Sequence, residues 1–162
     1  MAANSDKRMN WREIAQQLRL LLGRPPRQQY AALCYRMQNE QIEFLLITSR
    51  DTGRWVIPKG WPMKELNAAE CAAQEAFEEA GVIGDVSPTN VGTYFYFKGM
   101  DAGYKARCLV DVFPLKVQEL RKDYPEEDER TRSWMSAEEA SAEVEEPGLR
   151  AIFKTFAPPK TD

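Results

Sequence analysis

Three glutamates, Glu75, Glu78 and Glu79, fall within the stretch "AAQEAFEEAGV" (residues 72–82), where most of the remaining positions are alanine. On a helix of 3.6 residues per turn they share one face within about 100°. Like charges at this spacing repel by roughly 0.2–0.5 kcal/mol per pair, so helix stability does not favour the arrangement. One reading is a solvated acidic face, common on exposed helices. The other is a site for a divalent cation, which turns the repulsion into ligation. Magnesium takes octahedral oxygen donors and shares a few carboxylates with waters and substrate phosphates. Histidine is absent from the chain, which removes Ser-His-Asp, Cys-His and His-ligated zinc chemistry. Any chemistry must run on carboxylates, Lys, Arg, Tyr, hydroxyls or a hard metal ion.

The elements that must position these carboxylates are legible around them. Asn67 followed three residues later by Glu70 is a capping box that opens a helix at Ala68, and Gly81 is suited to the left-handed residue that ends it. Ala69, Ala72, Ala73, Ala76 and Ala80 line the adjoining face and let the helix approach a sheet closely. The runs "YAALCYRM", "IEFLLITSR" and "RWVIPKGW" read as strands before the helix. After it, "VGTYFYFKG" and "YKARCLVDVFPL" read as a hairpin split at "MDAG", and "TRSWM" as a last short strand. Trp55 and Phe95 are expected to alternate into the core, Tyr94, Tyr96 and Phe97 to be sheet residues, and Trp134 to anchor the core at its strand end. Ser136 and Glu139 form a second capping box; Pro147 interrupts the helical stretch that follows, and "GLRAIFKTF" resumes it.

Ahead of these elements, Trp11, Ile14, Leu18, Leu21 and Leu22 recur at helical spacing and Gly23 marks a stop. This amphipathic helix is expected either to pack on the core or to make a homodimer contact, and "GRPPRQ" follows as a linker. Residues 1–26 are therefore read as a helical extension and linker, and 27–162 as one mixed α/β domain with helices against a mostly antiparallel or mixed sheet. The charge of −3, from 25 acidic and 22 basic residues, argues against a nucleic acid polymer or an anionic membrane surface as partner. Cys34, Cys71 and Cys108 lie far apart in apolar or small-residue surroundings, the pattern of buried thiols in a reducing compartment. With no long apolar run and no signal-peptide pattern, a cytoplasmic location is expected.

The stretch from Gly60 to Val82 resembles the Nudix box, Gly-x5-Glu-x7-Arg-Glu-U-x-Glu-Glu-x-Gly-U, where U is a bulky aliphatic residue. Gly60, Glu75, Glu78, Glu79, Gly81 and Val82 match in register. Leu66 stands where the family has its first glutamate, Gln74 where it has arginine, and Ala76 where it has a larger aliphatic residue. The resemblance runs over roughly residues 30–157, where "YAALCYR", "LLITSR", "RWVIPKG" and "TRSWMSAEEA" look like pieces of Nudix hydrolases close to the diphosphoinositol polyphosphate phosphohydrolases. It implies an α/β/α sandwich on a mixed sheet, Mg2+ or Mn2+ as cofactor, and hydrolysis of a small-molecule organic diphosphate. Diphosphoinositol polyphosphates, dinucleoside polyphosphates, nucleotide sugars and ADP-ribose all remain open as substrate classes.

Carried to the matching positions, the resemblance makes Glu75 and Glu79 the first metal-ligand candidates and Glu78 the third. The Gly60 carbonyl is a further donor, and one of the glutamates or a hydroxide on the metal would be the base. A polyanionic substrate needs cations facing the metal. The chain offers Ser49 and Arg50 at a strand end, Arg54, Lys59 and Lys64 around the loop, Lys105 and Arg107 on the hairpin, and Arg130 and Arg132 before the last helices. By the resemblance, Arg50, Arg107 and Arg132 are the preferred phosphate contacts, while for Lys59 and Lys64, which flank the box loop, charge balance at the metal site is an equally good explanation. Trp61 either walls the pocket and stacks on a ring or packs in the fold. A second reading uses the same residues: Leu66 and Gln74 delete one box carboxylate and the box arginine, which suits a module that binds a nucleotide or inositol phosphate without efficient turnover.

Overall fold

A computed structural model of the chain describes residues 10–101 and 103–160. Its elements in chain order are α1 (Trp11–Gly23), β1 (Arg27–Gln38), β2 (Gln41–Thr48), β3 (Trp55–Val56), β4 (Lys59–Gly60), α2 (Ala68–Ala80), β5 (Val82–Val86), β6 (Gly92–Gly99), β7 (Lys105–Leu120), β8 (Arg132–Met135), α3 (Ala137–Glu143) and α4 (Pro147–Thr155). The sheet runs β3-β2-β1-β7-β5, with β4 also paired to β1, β6 to β7 and β8 to β2. Its centre is the parallel pair β1–β7, in which Arg27–Tyr35 face Cys108–Lys116, and the other pairings are antiparallel.

The middle of β1 (31–35) and of β7 (112–115) is covered on both faces and reads as an apolar run, whereas the first half of β7 alternates. On one face Leu33, Phe44, Leu46, Val110 and Val112 pack against Leu149 and Phe153 of α4 and Ala140 of α3. On the other, Ala32, Cys34, Leu45, Ile47, Phe113 and Leu115 pack against Ala69, Ala72, Ala76 and Ala80 of α2. This is the expected α/β/α sandwich on a mixed sheet. The alanine face of α2 does what its small side chains allow: the helix lies close to the sheet, with the glutamates along its flank. Cys34, Cys71 and Cys108 are buried free thiols. Among the described residues no helix is long and apolar enough to cross a membrane.

Several expectations need correction. The run "RWVIPKGW" is not one strand: it breaks at Ile57–Pro58 into β3, paired with β2, and β4, paired with β1, because proline has no N–H for a ladder. The Pro58 carbonyl still accepts from the Ala32 N–H at 3.0 Å. Strand β5 was not anticipated; Gly84 and Asp85 break its strand signal. Gly84 is needed there because a Cβ would strike the Lys116 carbonyl. Phe95 is 48% exposed while its neighbour Tyr94 is buried: the alternation of β6 turns Tyr94 toward α4 and leaves Phe95 outside, under the Arg107 guanidinium at 4.4 Å. Trp55 and Trp134 are half-buried at the edges of the two core clusters.

The N-terminal amphipathic helix is present as α1, capped by Asn10. Trp11, 81% exposed, and Leu18, 51% exposed, do not pack on the core; the extended segment at Pro25 and Pro26 separates the helix from the sheet. The side chains of Leu21 and Leu22, expected on the same stripe, lie outside the described residues. So does Ala102 in the turn of the β6–β7 hairpin, where the Met100 N–H donates to the Tyr104 carbonyl at 2.9 Å.

Candidate active site

Local chemistry sets α2 in place. The Asn67 side chain accepts from the Glu70 N–H at 3.0 Å, and the Glu70 carboxylate accepts from the Asn67 N–H at 2.8 Å. At the other end Gly81 takes φ 65° and its N–H donates to the Phe77 carbonyl at 2.8 Å. Between these ends, Glu75, Glu78 and Glu79 meet the β4 loop and the segment before β8.

Each glutamate has a different environment. Glu79, 9% exposed, accepts from the Lys59 backbone N–H at 3.3 Å and from Arg130 Nη2 at 3.0 Å. Arg130 is itself buried, and donates to Glu126 Oε2 at 2.6 Å and to the Thr48 carbonyl at 3.0 Å. Glu78 accepts from Gln74 Nε2 at 2.7 Å, so a neutral amide holds it where the box has an arginine. Glu75 lies against Gly60, in the space that a Cβ at residue 60 would need.

Burial drives the electrostatics. Desolvation, reinforced by Glu79, Glu78 and Glu126, pushes the Glu75 carboxyl up to about 7. Burial also raises Glu79, against the pull of Lys59 and Arg130. The Lys59 amine is lowered by burial, partly offset by Glu79 and Glu146.

Ser49, Arg50, Lys59 and Arg130 line a cleft of about 180 Å³ together with Glu79. Arg50 is exposed and pairs with Glu129 at 3.1 Å and Glu126 at 3.3 Å. Lys64, Lys105, Arg107 and Arg132 are not among the residues of this cleft. Lys64 and Lys105 are exposed, Arg107 covers Phe95, and Arg132 donates to the Ala80 carbonyl at 2.6 Å, closing the end of α2. Trp61 is half-buried, with Arg27 and Lys98 over its ring at 4.5 and 5.0 Å. Leu66 and Glu65 are both exposed in the loop.

Three participants escaped the sequence reading. Glu126 joins the acidic cluster through Arg130, and its N–H donates to the Glu78 carbonyl at 3.1 Å. Its setting, "PEEDER", reads as a solvated charge run; the i,i+4 spacing to Arg130 was the one available signal. Gln29, buried, and Tyr96 form the cleft wall, joined by a bond from the Tyr96 hydroxyl to Gln29 Oε1 at 2.5 Å.

The model of the NUDIX domain family matches residues 27–156. The chain belongs to the Nudix family. It is 33% identical over 104 residues to Nudix hydrolase 12, mitochondrial, of Arabidopsis thaliana, a match covering 62% of this chain and 51% of the relative. It is 30% identical over 112 residues to diphosphoinositol polyphosphate phosphohydrolase 2 of Rattus norvegicus, covering 68% of this chain and 58% of the relative. The chain thus spans about half the length of these curated relatives. Among solved structures, the fold resembles an Ap4A hydrolase of C. elegans (TM-score 0.60, 18% identity, 80% of this chain and 95% of that one). It also resembles the dihydroneopterin triphosphate pyrophosphohydrolase of E. coli (TM-score 0.59, 17% identity, 80% and 93%).

The Nudix fold implies a divalent metal, and the residues present fit one by their chemistry. Glu79 and Glu126 pair with the buried Arg130 guanidinium, Glu75 and Glu78 stand beside Glu79 on α2, and burial, reinforced by Glu79, Glu78 and Glu126, raises the Glu75 carboxyl. That is a site short of positive charge, built of hard oxygen donors. Among the described residues no three of these side chains already converge on one point, since Glu79 is tied to Lys59 and Arg130 and Glu78 to Gln74.

Proposed function

We propose that this Nudix protein is a metal-dependent pyrophosphohydrolase that cleaves the P–O–P linkage of a small, highly charged organic diphosphate. The observation that carries this reading is the Glu75–Glu78–Glu79–Glu126 cluster, whose Glu79 lines a cleft with Arg50, Lys59 and Arg130. Mg2+ or Mn2+ held by Glu75, Glu79 and Glu78, with the Gly60 carbonyl as a further donor, would neutralise phosphate charge and acidify a water.

The chain's own residues do the rest. The Lys59 N–H and Arg130 hold the Glu79 carboxylate in one orientation, so that it need not be ordered during reaction. Glu75 lies against Gly60, and because burial and the neighbouring carboxylates raise its carboxyl in the metal-free protein, a cation beside it would favour the ionised form that can ligate. Arg50 and Lys59 present positive charge to the phosphates from the walls of the cleft. The diphosphoinositol polyphosphate phosphohydrolase among the relatives supports a densely charged substrate.

A second reading, a Nudix-fold binding module with little turnover, is favoured by Gln74. Its bond to Glu78 orients that carboxylate without neutralising it.

The deciding experiment is hydrolysis of diphosphoinositol polyphosphate, dinucleoside polyphosphate, nucleotide sugar and ADP-ribose with Mg2+ or Mn2+, using Glu79→Gln as control. Metal-dependent cleavage lost in the variant supports the enzyme. Ligand binding with no product across the panel moves the reading to the binding module.

A further inference from the structure

Arg54, between β2 and β3, lines the same cleft as Glu79 and Lys59. Its Nη1 lies 2.7 Å from Glu146 Oε1, yet off the hydrogen-bond axis, so that Nη1 and Glu146 Oε2 are both buried without a hydrogen-bond partner among the described residues. Glu146 is 6% exposed and stands at the N-terminus of α4 without capping it. The second carboxylate near Arg54, Glu145, is exposed and 3.9 Å away. A guanidinium carries five N–H donors in a fixed fork. Arg54 Nη1 is buried against Glu146, which compensates the charge on that side, and among the described residues Nε and Nη2 make no hydrogen bond.

An ion pair whose only role was to pin α4 to the sheet would be expected to use those donors. A guanidinium anchored by charge on one side, with its donors unspent and a polar cleft on the other, is set up to receive a planar or tetrahedral oxyanion. Lys59 adds to the same wall, its Nζ 5.2 Å from the Tyr96 ring.

We propose that Arg54 is a direct contact for a phosphate group of the ligand in this cleft, and that Glu146 is the positioning residue that holds it there. This rests on the reading of the cleft as a phosphate site, and extends it to a residue pair that the box does not contain. Lys59 supplies the neighbouring charge, so the pair selects for ligands with more than one phosphate.

The test is calorimetric binding of inorganic tripolyphosphate in EDTA, comparing the wild type with the double variant Arg54→Met, Glu146→Gln and with Arg54→Lys. The double variant removes one positive and one negative charge, so net charge is unchanged and no uncompensated buried ion remains. Loss of affinity by roughly 10-fold or more in the double variant, with the melting temperature held, is expected. Arg54→Lys keeps the charge but not the fork, and is expected to lose about 3-fold or more. Wild-type affinity in either folded variant, or no tripolyphosphate binding by the wild type, would overturn the proposal. If the double variant fails to fold, Arg54→Lys decides by the same criterion. Because EDTA removes any metal, this result stands apart from the turnover panel, whose failure would sink the enzyme reading and leave the Arg54 contact to be judged by binding.

Discussion

Glu75 lays its carboxylate against the bare α-carbon of Gly60, in the space a Cβ would fill. Residue 60 pairs with Tyr30 of β1, so the backbone cannot retreat and a larger residue must displace the glutamate. The glycine of the Nudix box is thus explained by the carboxylate fifteen residues later, with no appeal to backbone flexibility.

Gly60→Ala is expected to leave the fold intact and lower kcat by about 10²-fold, the cost of shifting a catalytic group by around an ångström. Turnover kinetics beside near-ultraviolet circular dichroism would check it, and wild-type kcat would show that Glu75 has no role at this position.

The raised Glu75 carboxyl has a pH signature. A carboxyl whose pKa rises on folding, here from 4.5 to about 7, favours the folded state below the lower value and loses that contribution as pH climbs through the upper one. Melting temperature in EDTA is therefore expected to fall between pH 4.5 and about 7 and to level off above. Glu75→Gln should flatten the profile, and saturating Mg2+, which binds the ionised form, should raise the alkaline end. An identical slope in wild type and Glu75→Gln would assign the effect elsewhere.

Arg130 and Arg50 both touch Glu126, but their burial separates them. Arg130, its side chain 7% exposed, bridges Glu79, Glu126 and the Thr48 carbonyl, and Arg130→Met should cost about 3–5 kcal/mol in urea unfolding by leaving the buried Glu79 carboxylate without its ion-pair partner. Arg50, 55% exposed, makes surface pairs, and Arg50→Met should cost less than about 1 kcal/mol. Equal costs would mean that Arg130 is not the buried hub of the cluster.

The two ends of α2 predict graded losses of stability. Asn67→Ala removes the cap that accepts from the Glu70 N–H and should cost about 1 kcal/mol. Gly81→Ala places a side chain at φ 65°, worth about 1–2 kcal/mol by itself, and adds an overlap with Tyr124 at 2.6 Å and the Arg121 carbonyl at 2.9 Å. Gly81→Ala should therefore be the more damaging of the two in denaturant titration, and the reverse order would contradict the close packing of Tyr124 over Gly81.

What was legible in the sequence is what short-range physics controls. The caps of α2 and α3, the shared face of Glu75, Glu78 and Glu79, the alanine face that lets α2 lie close to the sheet, and most of the strands all rest on interactions within a few residues or on periodicity. Other features depended on distant segments meeting. Arg130 reaches Glu79 across 51 residues of sequence, so a residue read as a substrate contact is also a buried partner of the carboxylates. Glu126, hidden in an acidic run, joins the cluster because the segment before β8 folds against α2. Arg54 meets Glu146 because the turn between β2 and β3 comes against the start of α4. Charge type and helical phase can be read along a chain, but which charges are buried together is set by the packing of the sheet and its helices, since burial alone turns a surface ion into a group that needs a partner.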